Sequence, residues 1–406
     1  MSMRVLAAGD ATLTRPRRLR MRVLINSRVL AVVIFVLAWL GAFVQAPRPT
    51  ELRFMFTPAR ASPAADSVHF ASIDLPRPTP SAHASSITAL PDGTLLVAWF
   101  AGAREGASDV AIEMARVRAG TVESRWTSLT REQLQGMVQR VIRSLGNPVV
   151  WVDAQGRVNM HVVSVSYGGW SGSAINHLLS LDGGMTWQSA RRLVVSPFFN
   201  LSTLVRTQPI AMADGSWGLP AYHEFIEKHG LFVHLRADGV VHSVERMQKY
   251  QGGWLQPAVA ALSPRAAIAL LRSASRSTPF VGVNRSIDGG VTWAMQPALD
   301  IPNPDASIAL LRLCDGTLLL AANPTRGGRG TLQLFTSSDD GTTWAPSRVI
   351  ERDDTGEFSY PCLAESADGV IHLTYTWRRQ GIRLCSFGRA WLRNDESTAP
   401  AIGGRP

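Results

Sequence analysis

The 406-residue sequence predicts an all-β fold, a six-bladed β-propeller that follows an N-terminal transmembrane or signal segment. Three observations predict it. The pattern S-x-D-x-G-x-T-W occurs three times, a turn followed by an apolar run occurs six times, and one long uncharged stretch follows a cluster of arginines.

The N-terminus comes first. Residues 1–28 carry Arg4, Arg15, Arg17, Arg18, Arg20, Arg22 and Arg28 against one acid, Asp10, a balance of +6 within a formal net charge of +10. The remaining +4 is spread without basic runs, so composition gives no footprint for nucleic acid. Val29 to Pro47 contains no charged residue, and its 19 residues just span a hydrocarbon core. Arginines on its N-terminal side keep that end in the cytoplasm. The segment reads as a signal-anchor in the inner membrane, or as a signal peptide cut after Ala46, since Val44-Gln45-Ala46 roughly fits the small-residue rule. On either reading the body is exported. Residues 48–79, rich in Pro and Ala, read as a linker, 80–395 as the propeller and 396–406 as a tail.

The body has a globular composition, 46% hydrophobic and 18% charged. Its three boxes, "SLDGGMTW", "SIDGGVTW" and "SSDDGTTW", place Asp182, Asp288 and Asp339 at intervals of 106 and 51. A missing copy should fall near 235, where "HLRADGVVHSV" offers Asp238-Gly239 as a degenerate fourth. Turn-then-apolar runs begin at Asp92, Asp153, Asp214, Asp315 and Asp368, with Pro264-Arg265 taking the turn between Asp214 and Asp315. Such a turn between alternating apolar runs is a hairpin signal. Six hairpins at a spacing of 50 to 61 residues make six blades. One helical pattern, Ser128 to Ile142, reads as an excursion between blades one and two.

Within each box, Ser and Asp bond their own turn and Gly supplies positive φ. Trp187, Trp293 and Trp344 are expected to bury a ring between neighbouring blades, and Trp170 and Trp254 read as packing residues too. Cys314, Cys362 and Cys385 are too few for a disulfide framework and read as buried free thiols. No CxxC, P-loop or dinucleotide fingerprint is present, and His223 and His229 stand six apart rather than the four a zinc helix needs. No cofactor or metal is expected.

The three boxes resemble the Asp-box, or bacterial neuraminidase repeat, of sialidases and their relatives, and the resemblance extends over roughly residues 80 to 390. It implies a sialidase-like propeller that acts as a glycoside hydrolase on a glycan, sialic acid or another sugar. The family holds a substrate carboxylate with three arginines, attacks with a Tyr assisted by a Glu, and protonates the leaving group with an Asp; it is an exception to the two-carboxylate glycosidase scheme. Arginine suits the clamp because its planar donors match a carboxylate.

Transferred residue by residue, the resemblance makes Asp109 in "AREGASDV" the acid/base, with Arg104 and Glu105 on the same loop. Arg272 in "IALLRSASR" becomes the second arginine and Arg329 the third, with Arg326 its neighbouring candidate. Tyr360, eight residues before Asp368, becomes the nucleophile. Two positions depart from the pattern. Gln256 stands where the assisting Glu is expected, and a Gln cannot take the phenol proton. His83 stands in place of the first arginine, and a histidine binds carboxylate strongly only when protonated. Glu224 and Glu357 are substitute carboxylates and His223 a substitute base, although Glu357, at i, i+3 from Tyr360, faces away on a regular strand. The alternative is a glycan-binding propeller that has lost catalysis.

Overall fold

The computed structural model describes residues 29–37, 51–61, 70–196, 200–225, 227–247, 253–275 and 277–393. The chain divides into two units, the first ending at Glu51. In the first, residues 29–37 form helix α1. No helix among the described residues is long and apolar enough to cross a membrane. The basic N-terminus, the rest of the 29–47 segment and the tail 396–406 lie outside the described residues.

The second unit is the propeller. Strand β1 (Ala71–Asp74) precedes the first blade but belongs to the last. Blade one comprises β2 (Ser81–Ala89), β3 (Leu95–Gly102), β4 (Ala111–Arg118) and β5 (Thr121–Leu129); blade two β6 (Ser144–Val152), β7 (Val158–Val165), β8 (Ser173–Ser180) and β9 (Ser189–Arg192). Blade three holds β10 (Thr203–Val205), β11 (Ile210–Ala211), β12 (Trp217–His223), β13 (His229–Leu235) and β14 (Val241–Arg246). Blade four has β15 (Trp254–Ala261), β16 (Ala267–Ser273), β17 (Gly282–Ser286) and β18 (Ala294–Gln296). Blade five has β19 (Ala309–Arg312), β20 (Leu318–Ala322), β21 (Thr331–Ser337) and β22 (Ala345–Arg352). Blade six orders β23 (Phe358–Glu365), β24 (Ile371–Trp377), β25 (Gly381–Phe387) and then β1. The ring is therefore closed by pairing of Ala71 with Ser386 through Asp74 with Arg383, reinforced by an Arg383–Asp74 ion pair at 2.7 Å.

This corrects the expected linker. Part of 48–79 is propeller: β1 completes blade six, and Phe54 and Met55 bond Pro264 and Ala211 through their N–H groups at 2.8 Å. Leu52, Phe54 and Phe56 alternate and pack on one core, a period-two signal set in a Pro-rich context. The expected helix also shortens. Helix α2 spans Arg131–Val138, started by a Thr130–Gln133 capping box and stopped at left-handed Gln139; Ser128 and Leu129 end β5 instead.

Five of the six expected turns join the first and second strands of their blades, and the Asp214 turn of blade three joins the two-residue β11 to β12. In the turn after β2, Leu90 N–H bonds the Thr94 carbonyl, Gly93 takes φ +81° and Asp92 Oδ1 accepts from Thr94 N–H. The boxes and Asp238-Gly239 occupy the turn leading into the outermost strand of their blades, at the same end as the first hairpin turn. In each box the Asp is a local acceptor: Asp288 takes bonds from Ser286 Oγ, Thr292 N–H and Thr292 Oγ1. Those bonds hold Asp182 and Asp339 at about 2, against burial in Asp182. Arginines of the preceding blade fasten the turns, Arg116 to the Asp182 and Gly183 carbonyls, Arg191 to Asp238 and Arg285 to Asp340. Trp187 bonds Ser128 across the blade boundary, and the Trp293 ring lies 5.2 Å from Phe232 of blade three. The box is structural. Cys314, Cys362 and Cys385 are free, the last two buried.

Two predictions follow from this packing. Asp288→Ala removes three acceptor bonds from one turn and should cost about 1–3 kcal/mol; thermal unfolding checks it, and an unchanged Tm would make the box dispensable. The second concerns acid. Burial holds His83 and His161 well below 6.5, and holds His372 at about 4. The unfolded chain binds these protons first, so stability is full above about 6.5 and falls as pH drops toward 4, by up to about 1.4 kcal/mol per pH unit for each histidine. Denaturant unfolding at pH 7.5 and 5 measures the difference.

Candidate active site on the propeller axis

The inner strands do not run straight. In β2, β6, β15 and β23 the register slips so that two residues oppose one: Ala84-Ser85, Asn147-Pro148, Gln256-Pro257 and Tyr360-Pro361. The first residue of each pair is left-handed, with φ between +40° and +55°. Ser202, before β10, and Asp305, before β19, are left-handed too, so each blade carries one such residue beside the axis. Proline suits the second position of three of these bulges because it needs no ladder partner. A bulge re-aims the side chain it carries, and here several are turned toward one another.

Tyr360 is the centre. Its ring lies 4.4 Å from that of His83, and the Arg206 and Arg329 guanidiniums lie 5.4 and 5.6 Å from its centre. Arg272 Nη1 donates to the Tyr360 hydroxyl at 3.5 Å, while its Nε binds Asp305 Oδ1 at 2.7 Å. Beside them, the Tyr222 hydroxyl accepts from Gln256 Nε2 at 3.1 Å and Asn147 Nδ2 at 3.3 Å. Glu224 follows β12, its N–H bonded to Ser202 Oγ.

Of the residues expected from the sequence, the fold thus gathers His83, Gln256, Arg272, Arg329, Tyr360 and Glu224. Glu357 joins them by an ion pair to Arg329 at 3.2 Å and a bond from Ser359 Oγ rather than by facing Tyr360 along the strand. Arg104 and Asp109 lie exposed on the loop between β3 and β4. The Asp109 carboxylate accepts from Ala103 N–H of that same loop at 2.9 Å, and among the described bonds neither residue touches the cluster. Glu105 of that loop does reach it, through Arg379 at 3.0 Å. His223 stacks with His229, 5.1 Å away.

Five contributors were not expected from the sequence: Asn147, Arg206, Tyr222, Asp305 and Arg379. Arg206 had a signal, since it stands eight residues before Asp214 just as Tyr360 does before Asp368. It is buried and donates to the Tyr360 and Pro361 carbonyls at 2.6 and 3.0 Å, which secures the bulge that aims the phenol.

The electrostatics follow from burial and arginine density. Burial, then the charges of Arg379, Arg329, Arg206 and Arg272, hold the His83 imidazole well below its ordinary value. It is a neutral ring near neutral pH, not a surrogate for a cation. Burial opposes the Arg272 cation, but Tyr360 and Asp305 outweigh it and raise its pKa. Burial pushes Glu224 above the usual carboxylate value, against Arg272. Tyr222 is likewise pushed up by burial, and further by Glu224 and Tyr360. Burial also acts to raise Glu357, yet Arg379 and Arg329 bring it below the usual value. Arg206, Arg272, Arg329 and Arg379 confront Glu105, Asp305, Glu357 and Glu224, a site able to hold a polar or anionic ring. Among the described residues no group of side chains is arranged to hold a metal.

The same architecture recurs in solved structures. A Hadza microbial sialidase superposes with TM-score 0.64 at 16% identity, over 77% of this chain and 66% of its own, so this chain spans just under two thirds of that protein. The NanB sialidase of Streptococcus pneumoniae gives 0.62 at 10% identity, over 87% of this chain and 73% of its own. An α-L-arabinanase of Penicillium chrysogenum, complexed with arabinobiose, gives 0.56 at 15% identity, over 84% and 99%. No curated protein matches the sequence. These likenesses show the fold, a six-bladed β-propeller of the kind those sialidases and that arabinanase share. The family model for the BNR repeat-like domain covers residues 93–373, most of the propeller, and the chain therefore belongs to the sialidase-like BNR-repeat family.

Proposed function

We propose that this chain is an exported glycoside hydrolase that cleaves an acidic sugar from a glycan at the propeller axis. The observation that carries the reading is the convergence on Tyr360 of His83, Arg272, Arg206 and Arg329. The arginines orient the sugar. Tyr360 Oη attacks the anomeric carbon as the glycosidic bond breaks, and Asp109, once its loop turns inward, protonates the departing oxygen. Water then displaces the tyrosine, its proton passing to Asp109, so that configuration is retained.

The phenol proton needs an acceptor that Gln256 cannot be. We assign that role to Glu224, which follows β12 and whose carboxylate interacts with Arg272, the donor to Tyr360, and with Tyr222, while burial raises its pKa. A second reading, glycan binding without turnover, is favoured by Gln256 and by the bond that holds Asp109 on its own loop.

Tyr360→Phe should reduce hydrolysis of the cognate glycoside by about 10²-fold or more with the fold intact; full activity in that variant defeats the nucleophile assignment. As a base, Glu224 must be ionised, so turnover should fall as pH drops through its raised pKa. Glu224→Gln should slow turnover and remove that acid limb. Saturable glycan binding with no product, unaltered by Asp109→Asn, supports the second reading. Export and anchoring through residues 29–47 rest on the sequence, and the mass of the mature chain separates an uncleaved anchor from cleavage after Ala46.

A further inference from the structure

The turn from β24 to β25 departs from ordinary hairpin chemistry. Arg378 and Arg379 occupy its two central positions at φ +52° and +56°, and Gln380 N–H bonds the Trp377 carbonyl at 3.0 Å. A turn with both central residues left-handed prefers Asn-Gly or Gly-Gly, which adopt it without strain. Two arginines hold a conformation that a β-carbon disfavours, and strain of this kind concentrates where a side chain is needed.

Arg378 is accounted for by packing. It pairs with Asp353 and lies 5.1 Å over the Trp377 ring. Arg379 points to the site. Its carbonyl accepts from Ala82 N–H at 3.0 Å, next to His83. Its Nε binds Glu357 at 2.7 Å and its Nη1 binds Glu105 at 3.0 Å. Glu357 is shared with Arg329, the guanidinium bordering the Tyr360 ring. Arg379 thus stands one carboxylate away from the cations around the phenol.

It is also the cation a ligand meets first. Its side chain is 45% exposed, against 16% for Arg329 and 10% for Arg272. Arg272 is held by Asp305 and Tyr360, and Arg329 by Glu357 and the Asp305 carbonyl. The Glu105 contact of Arg379 is instead a rim ion pair, and such pairs exchange at little cost.

We propose that Arg379 determines specificity for an acidic sugar by receiving the ligand carboxylate in place of Glu105. The inference rests on the glycan reading of the same site. Glu105 then acts as an internal competitor, and because its loop also carries Asp109, ligand arrival releases that loop from the β24–β25 turn.

Calorimetric titration of the full chain with N-acetylneuraminate, galacturonate and neutral galactose tests this, beside Tm, in the parent protein, Arg379→Gly and Glu105→Gln. Arg379→Gly should keep or raise Tm, since glycine relaxes the turn, while weakening binding of a sugar acid about tenfold or more. Glu105→Gln should tighten it several-fold by removing the competitor. Galactose should respond to neither. If Arg379 merely ties two segments together, Arg379→Gly lowers Tm and leaves sugar-acid affinity unchanged, and Glu105→Gln tightens nothing; that result overturns the role of Arg379 alone. If the parent protein binds neither sugar acid, the acidic-glycan reading falls and this proposal falls with it.

Discussion

The site depends on a backbone that kinks where strands ordinarily run straight. Beside the axis, Ala84, Asn147, Ser202, Gln256, Asp305 and Tyr360 adopt a left-handed conformation that disfavours any residue with a β-carbon. Each costs on the order of 1 kcal/mol or more. They persist because the strands on either side are fixed by burial. Leu96, Ile112, Met160 and Leu178 seal blade one to blade two, and Leu363, Leu373, Leu319 and Leu334 seal blade six to blade five. Apolar packing between blades over-determines the frame, and the frame imposes the kinks. The kinks turn Tyr360, Gln256 and Asn147 toward their partners instead of leaving them to the alternation of a strand.

Charge inside this ring is balanced locally, not by one counter-ion pool. Asp305 neutralises Arg272, Glu357 is shared between Arg329 and Arg379, and Arg206 is held by two carbonyls and the face of an aromatic ring. That arrangement explains why His83 remains neutral. A further cation among four guanidiniums would be repelled, and the ring packs edge-on against Phe100 and Tyr360. A neutral His83 thus leaves the positive charge beside the phenol to Arg206, Arg272 and Arg329.

Much of the frame was legible because it is local. Asp92-Gly93 and its five counterparts mark hairpins through chemistry contained in four or five residues, and the boxes do the same at the turn into the outermost strand. The family resemblance then located Tyr360 and Arg272 relative to those turns, and Gln256 relative to Arg272. The rest depends on contacts distant in sequence. β1 is four residues whose identity as a strand comes from β25, 309 or more residues later. Arg379 sits in a turn that reads as a polar break, and only the fold brings it to Glu105, 274 positions away. The bulges had a cue in Pro148, Pro257 and Pro361, prolines within apolar strands, but their common place beside the axis emerges only when six blades face one another.

Closure through β1 also sets the order of assembly. Blades one to five are each built from hairpins that zip as soon as their strands exist, whereas blade six needs both ends of the chain. Among the described residues, the first strand pairs with the last. Until β25 is complete, β1 remains an open edge and β24 lacks its outer neighbours, so the ring passes through a state with unpaired strand groups at its seam. That pairing closes a loop of 309 or more residues, and loop-closure entropy grows with length. The Arg378–Arg379 turn joins β24 to β25 of that same blade, so the strand that carries it is also the one that β1 must pair with.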